Sequence, residues 1–402
     1  MAQLPSIAII GGGPGGLTLA NVLHRHGVDS VVFERDADPS ARPQGGTLDL
    51  HGDTGQRALR EAGLEESFRR FARYEDQGMR LFHPDGRLLA DDEDPSGGDR
   101  PEINRSQLRQ LLLERLPATT VRWGQKVEAV RPCPDGRHEV VANGSVSEPF
   151  DLIVGADGAW SKVRPLLSPA TPAYDGVTFI ELGIDDADRR HPALAARVGH
   201  GKMFAIGNNR ALIAQRNADA HIRLYLALRV AENAYPLTGV SDAQVRDRAA
   251  SELAGWAPVW LEMIAAAEPI AIRPLYSLPV GHRWETRPGI SLIGDAAHLM
   301  TPFGGEGANC AMADGADLAI VLAQASDWRR AVAEFEAIML PRAEAAAGEA
   351  AMGLKGAISE NGLEHTLRWI GDNALPGMRA TAAGEPDAKL PNPRFAAAPG
   401  DQ

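Results

Sequence analysis

Cysteine occurs at only two of 402 positions, Cys133 and Cys310, too few and too far apart for a disulfide framework or a metal-ligand spacing. Lysine is also scarce, at five positions, and acids outnumber bases 53 to 41, for a net charge of −12. A chain of that sign, with no basic run, repels phosphate backbones, so no nucleic-acid partner is expected. No stretch of 18 apolar residues occurs, and the start MAQLPSIAIIGGG has neither a basic n-region nor a cleavage site. Neither a membrane span nor a secretory signal is therefore expected, and a cytoplasmic location follows. His24 and His26 are two apart, the wrong spacing for one helical face, and no metal site is expected. What remains is an ordinary folded composition, 44% hydrophobic and 23% charged, with length for two or three domains.

The chemistry-bearing pattern starts at once. Ser6 to Ile10 is a β-branched run, followed by Gly11-Gly12-Gly13-Pro14-Gly15-Gly16 and then Leu17, Ala20 and Leu23 at helical spacing. Gly11, Gly13 and Gly16 satisfy G-x-G-x-x-G, in which the glycines allow the tight turn, the close approach of a pyrophosphate and helix packing on the strand. The helix N-terminus then faces the anion with free N–H groups. A second run, Ser30 to Phe33, ends in Glu34, placed to accept from ribose hydroxyls. This βαβ unit binds a dinucleotide but does not distinguish NAD from FAD.

Further along, the spacing of Leu108, Leu111, Leu112 and Leu116 predicts a helix from Arg105. Residues 121–149 alternate as short strands around the Pro134-Asp135-Gly136 turn, and 152–156 read as a buried strand. Residues 173–272 show strand-like alternation and predict a mostly antiparallel second layer. Ile290 to Ile293 leads through Gly294-Asp295 to a glycine turn and a helix through Ala323, and helix continues to about Trp369. Trp256 and Trp260, four apart, are read as core packing.

Two downstream segments resolve the dinucleotide: Gly155-Ala156-Asp157-Gly158 with Ser161 and Arg164, and Gly294-Asp295-Ala296-Ala297-His298 with Pro302, Gly304, Gly307 and Asn309. With these the chain resembles the class A flavoprotein monooxygenases, the family of para-hydroxybenzoate hydroxylase, over about residues 5–325. Glu34-Arg35-Asp36, the run from Gly45 to His51, and Glu102-Ile103-Asn104-Arg105 look like the corresponding segments of the Tet(X)-type tetracycline-inactivating monooxygenases.

The resemblance implies an α/β fold: a Rossmann-like FAD-binding domain of the para-hydroxybenzoate hydroxylase type, an interleaved α+β substrate domain on a mostly antiparallel sheet, and a C-terminal helical segment. Residues 1–75, 100–172 and 273–325 would form the FAD-binding domain, 76–99 and 173–272 the substrate domain, 326–380 the C-terminal helices and 381–402 a loose tail. FAD would be held by Gly11, Gly13, Pro14, Gly15, Gly16, Glu34, Arg35, Asp49, Arg105, Asp157, Gly158, Gly294, Asp295, Pro302, Gly304, Gly307, Ala308 and Asn309. Arg42 would contact NADPH, or NADH, as reductant. Pro302, Phe303 and Gly304 would border the oxygen pocket, and Glu181, Lys202, Gln215, Arg223 and Phe303 would meet the substrate. Oxygen would add to the reduced flavin at C4a, and the hydroperoxide would hydroxylate a phenolic or enolic carbon, so no protein nucleophile is expected.

The substrate expected from the resemblance is a tetracycline-like polyketide acted on by a monomer. The alternatives are a biosynthetic hydroxylase of another aromatic polyketide, a flavin-dependent reductase of the geranylgeranyl-reductase kind, and a noncatalytic flavin-binding sensor. Glu306 departs from the glutamine usual in the family and receives no role.

Overall fold

The computed structural model describes residues 4–41, 45–92, 99–236, 238–373 and 379–380. Arg42 and the tail expected at 381–402 lie outside the described residues. Five parallel strands form the first layer, in the order Ile290–Leu292, Leu152–Gly155, Ile7–Ile10, Ser30–Phe33, Val121–Arg122. Ile7–Ile10 and Leu152–Gly155 are buried at every residue, as continuous apolar runs in a parallel sheet require. From Ile7–Ile10 the chain builds first towards Ser30–Phe33 and later adds Leu152–Gly155 on the opposite side. The order therefore reverses between these two strands, and sheets of this kind bind ligands beyond their carboxyl ends at such a reversal.

Helix Pro14–Arg25 starts with proline in its first turn, where the missing N–H has no intrahelical partner to lose, and buries Leu17, Leu19, Ala20, Val22 and Leu23. It crosses helix Gly307–Gln324 so closely that a Cβ on Gly315 would sit 2.4 Å from the Gly15 carbonyl oxygen. Only glycine permits that crossing.

The second layer is an eight-stranded sheet ordered Glu268–Ser277, Ala173–Ile184, Ile222–Arg229, Arg210–Arg216, Gly201–Gly207, Gly78–Phe82, Leu88–Asp92, Arg379–Ala380. Only the pair Gly201–Gly207 with Gly78–Phe82 is parallel. Alternation splits its side chains cleanly. Ile180, Leu182, Leu224, Leu226, Leu212 and Met203 pack on the outer helices together with Trp260. The indole of Trp260 is fully buried, donates to the Pro84 carbonyl at 2.8 Å and packs edge-on against Phe82, in agreement with the packing role expected of it. Val177, Phe179, Tyr225, Ile213, Phe204 and Leu81 occupy the opposite face, towards the first layer.

Helix Trp328–Ala357 joins the two cores. Its Phe335 and Met339 belong to the first and its Leu354 to the inner face of the large sheet. At about 1.5 Å per residue it spans roughly 45 Å. Buried Glu336 anchors it by accepting from Trp284, Thr286 and Ser291. Among the described residues no helix is long and apolar enough to cross a membrane.

Two expected boundaries move. The division at 272/273 falls inside strand Glu268–Ser277, which pairs with Ala173–Ile184 up to Ser277, because ladder pairing and not local composition decides where a strand stops. The C-terminal segment is not helical throughout either. Helix Gly362–Asn373 is followed by Arg379–Ala380, which pairs with Leu88–Asp92.

Replacing Gly315 with alanine is expected to lower the melting temperature of the FAD-loaded protein, through overpacking of about 1–3 kcal/mol. Gly371→Ala, where a new Cβ meets nothing within 4 Å, should leave it unchanged or raise it. Equal melting temperatures for Gly315→Ala and the parent would remove the close-crossing argument.

Candidate active site

The glycine turn sits at the reversal point. Gly11 has φ +111°, and a Cβ there would lie 2.3 Å from the Ala156 carbonyl oxygen, while a Cβ on Gly13 meets nothing within 4 Å. Gly11 thus lets two loops touch, and Gly13 leaves open space over the N-terminus of helix Pro14–Arg25. Glu34 is buried at the end of its strand, accepting from the N–H groups of Gly12 (2.7 Å) and Asp36 (2.9 Å). Arg109 reaches Asp36 at 2.8 Å, and its Nε and Nη1 lie buried without a hydrogen-bond partner. Sequence reasoning missed Arg109, although it lies one turn beyond Arg105 on the same helix.

The two later motifs are locked to each other. Arg164 donates to the carbonyls of Ala159 (2.7 Å) and Ala296 (3.1 Å). Asp157 accepts from the Lys162 N–H through Oδ2 at 2.6 Å and Ser161 caps Arg164, yet Asp157 Oδ1 is buried and unpartnered. Burial pushes the Asp157 carboxyl above its usual range. Asp295 opens helix Asp295–His298. Its carboxyl also rises through desolvation, against the pull of His298, Arg105 and Arg164. Arg105, at the start of helix Arg105–Glu114, makes no side-chain hydrogen bond among the described residues, and its pKa falls through desolvation. The surfaces of both groups are open to solvent while protein surrounds them, the situation of side chains lining a deep cleft. Unpaired charges of opposite sign there are placed for a ligand carrying both polar hydroxyls and phosphate.

Below them, His298 forms a buried pair with Asp314 at 2.6 Å, and Asp314 also accepts from Gly294 N–H and from Arg342. The carboxylate therefore holds the turn that presents Asp295, with His298 as its partner.

Pro302–Gly304 form a short 3-10 turn, and Gly305 follows at φ +70°. Helix Gly307–Gln324 begins there, with its first intrahelical bond from Cys310 N–H to the Glu306 carbonyl (2.7 Å). The N–H groups of Gly307, Ala308 and Asn309 precede that bond and face outward for an anionic edge. The amide of Asn309 is consumed internally. It donates to the carbonyls of Asp49 (2.9 Å) and Gly305 (3.2 Å) and accepts from His51 N–H (3.0 Å). What Asn309 offers a ligand is its main chain.

Asp49 is committed too. Lys202 Nζ lies 3.2 Å from Asp49 and 3.1 Å from Glu102, and His51 bridges Asp49 (3.5 Å) and Glu306 (2.9 Å). Desolvation alone would raise the Asp49 carboxyl, but Lys202 and His51 override it and hold it far below the usual carboxylate range. Burial opposes the charge on His51, but Asp49 and Glu306 outweigh it, and its pKa is raised to about 9.

The four polar candidates of the substrate layer do come together. Arg223, Gln215 and Lys202 stand opposite one another in a row across three strands. Each already has a protein partner. Gln215 donates to Glu102 (3.3 Å), and Arg223 (2.7 Å) and Arg273 (2.6 Å) both pair with Glu181. Beyond that row the face turns apolar. Phe179 lies 5.6 Å from Tyr225 and 6.1 Å from Phe303 between ring centroids, with Phe204 and Ile213 beside them. Sequence reasoning placed Phe303 but missed Phe179, Tyr225 and Phe204, since alternation alone does not say which face looks inward. Arg35 lies two residues beyond strand Ser30–Phe33, exposed at the surface.

The site is thus a dinucleotide cradle facing an aromatic-lined sheet across an electropositive helix end, the arrangement of a flavoprotein hydroxylase. Residues 5–346 match the FAD binding domain family, and the chain belongs to it as an FAD-dependent monooxygenase. It is 33% identical over 367 residues to monooxygenase asqM of Emericella nidulans, covering 78% of this chain and 82% of that protein. It is 32% identical over 350 residues to 3-amino-4-hydroxybenzoate 2-monooxygenase PtmB3 of Streptomyces platensis, covering 84% and 85%. The crystal structure of tetracycline destructase Tet(51) matches with TM-score 0.68 over 92% of this chain and 96% of that one, at 18% identity, a likeness of fold.

A folded-state pKa raised from 6.5 to about 9 means that the His51 charge stabilises fully below 6.5 and loses its contribution as pH rises through about 9. The melting-temperature gap between parent and His51→Gln should therefore be widest in mild acid and narrow towards pH 9. A gap constant over that range would exclude the ionic role.

Proposed function

We propose that this monooxygenase uses NADPH or NADH and oxygen to hydroxylate an electron-rich phenolic or enolic ring. The single observation behind the substrate class is the aromatic wall of Phe179, Tyr225 and Phe303 standing beside the N-terminus of helix Gly307–Gln324. Bound FAD, once reduced, supplies the oxygen-activating chemistry. The glycine turn and helix Pro14–Arg25 hold the diphosphate, and Glu34 accepts from ribose hydroxyls. Arg105 and Asp295, the unpaired charges of the cleft, hold the phosphate and ribityl portion, and the orphaned Asp157 Oδ1 takes a donor there. The N–H groups of Gly307, Ala308 and Asn309 stabilise the negative edge of the reduced ring without reorganising. Phe303 and its neighbours orient the substrate ring and exclude water, so protein groups supply position and field rather than a nucleophile.

On substrate identity, the motifs resembling the tetracycline-inactivating enzymes all lie in the cofactor half, and the Tet(51) likeness is one of fold. PtmB3, by its name an aminohydroxybenzoate hydroxylase, is the more similar chain. Both favour a biosynthetic role on a phenolic ring over antibiotic inactivation, with a tetracycline-like polyketide as the large-substrate case.

The test is a mass spectrum of 3-amino-4-hydroxybenzoate and of tetracycline after aerobic incubation with FAD-loaded protein and NADPH, beside an oxygen-free control. Gain of one oxygen atom in air alone is expected for the smaller phenol. Reduction of either compound without oxygen would replace the reading with a reductase.

Arg105→Ala and Asp295→Ala should each weaken FAD binding by about 10- to 100-fold, the equivalent of ~1.5–3 kcal/mol for a hydrogen bond to a charged group. FAD titration of the apoprotein measures this, and an unchanged dissociation constant in either variant removes that residue from the cofactor site.

A further inference from the structure

Glu306 is the one charged group of the glycine turn that the proposed function leaves without a task. It stands at the N-cap of helix Gly307–Gln324, where an acid suits the helix dipole. An acid there also repels any negative charge brought to the same N–H groups. The fold supplies the counterweight. Glu306 Oε1 lies 2.9 Å from His51 Nδ1, on a side chain only 5% exposed, and His51 Nε2 faces Asp49 Oδ2 at 3.5 Å. Lys202 neutralises Asp49 from the far side at 3.2 Å, and among the described residues Arg100 acts on His51 in the opposite sense to the two acids. The Asn309 amide fixes the spacing, because it accepts from the His51 N–H while its own N–H group reaches the Asp49 and Gly305 carbonyls. Glu306 and His51 are thus clamped as a pair at the head of the helix.

We infer that His51 and Glu306 form a charge-compensating pair that sets the reduction potential of flavin bound at this helix end, with His51 a positioning residue acting through Glu306. The inference rests on the flavin placement proposed above. Hydride transfer from the reduced nicotinamide brings two electrons and one proton, so the ring gains one negative charge, and nearby fixed charge weighs directly on that step. In the parent, the cation of His51 and the anion of Glu306 cancel. Removing the cation leaves a bare carboxylate beside the helix N-terminus, and removing the carboxylate leaves the cation without its partner at the helix end.

The test is an equilibrium redox titration of the FAD-loaded full chain at pH 7, followed by flavin absorbance, on the parent, His51→Gln, Glu306→Gln and the double variant. The potential should be highest for Glu306→Gln, lowest for His51→Gln, and alike and intermediate for the parent and the double variant. On raising the pH through the His51 titration, the parent should fall towards His51→Gln, which lacks that extra fall. Singles that match the parent, or that both move in one direction as general damage would make them, overturn the inference. Should His51→Gln lose FAD, Glu306→Gln against the double variant carries the same comparison. A parent that binds no FAD would instead sink the flavin placement itself.

Discussion

One cation holds the two layers of this molecule in register. The ammonium of Lys202 comes from the substrate sheet and lies between Asp49 and Glu102, which belong to the paired strands Thr47–Asp49 and Glu102–Asn104 of the cofactor side. Burying such a cluster costs desolvation that the ion pairs roughly repay, so its value lies less in net stability than in fixing a single arrangement. Thr47 and Gln215 complete the shell around Glu102. Any other register of the sheet against the ribbon would strand a buried charge.

The site inherits that register. Asp49 passes it to His51 and Glu306, and the Asn309 amide ties the same strand to helix Gly307–Gln324. The helix end offered to the cofactor and the aromatic wall offered to the substrate are therefore positioned by one connected set of polar contacts. Helix Trp328–Ala357, packed on both cores, closes the arrangement from behind.

Much of the cofactor half was legible because its residues act through local backbone geometry. A glycine turn directly after the first strand, a proline in the first helical turn and an acid just past the second strand are constraints between near neighbours, and sequence carries them openly. Asp157, Gly294 and Asp295 were singled out through the motifs that carry the family resemblance. The substrate half was not. Glu181, Lys202, Gln215 and Arg223 were found as polar positions on strands, but their partners lie on other elements, and those partners join them into one polar seam. Phe179 and Tyr225 carry no signal apart from alternation, which fits either face equally.

The sequence by itself determined the dinucleotide cradle, because a βαβ unit with its glycine spacing has few alternative conformations, and the resemblance carried by its later motifs gave the fold class and the kind of chemistry. Tertiary structure alone decided which face of the large sheet looks at the cofactor, where strand Glu268–Ser277 ends, and that the unusual acid at Glu306 is matched by His51. Those outcomes depend on charges and ring faces brought together from distant parts of the chain, where pairing energy and burial, not local preference, select the partner.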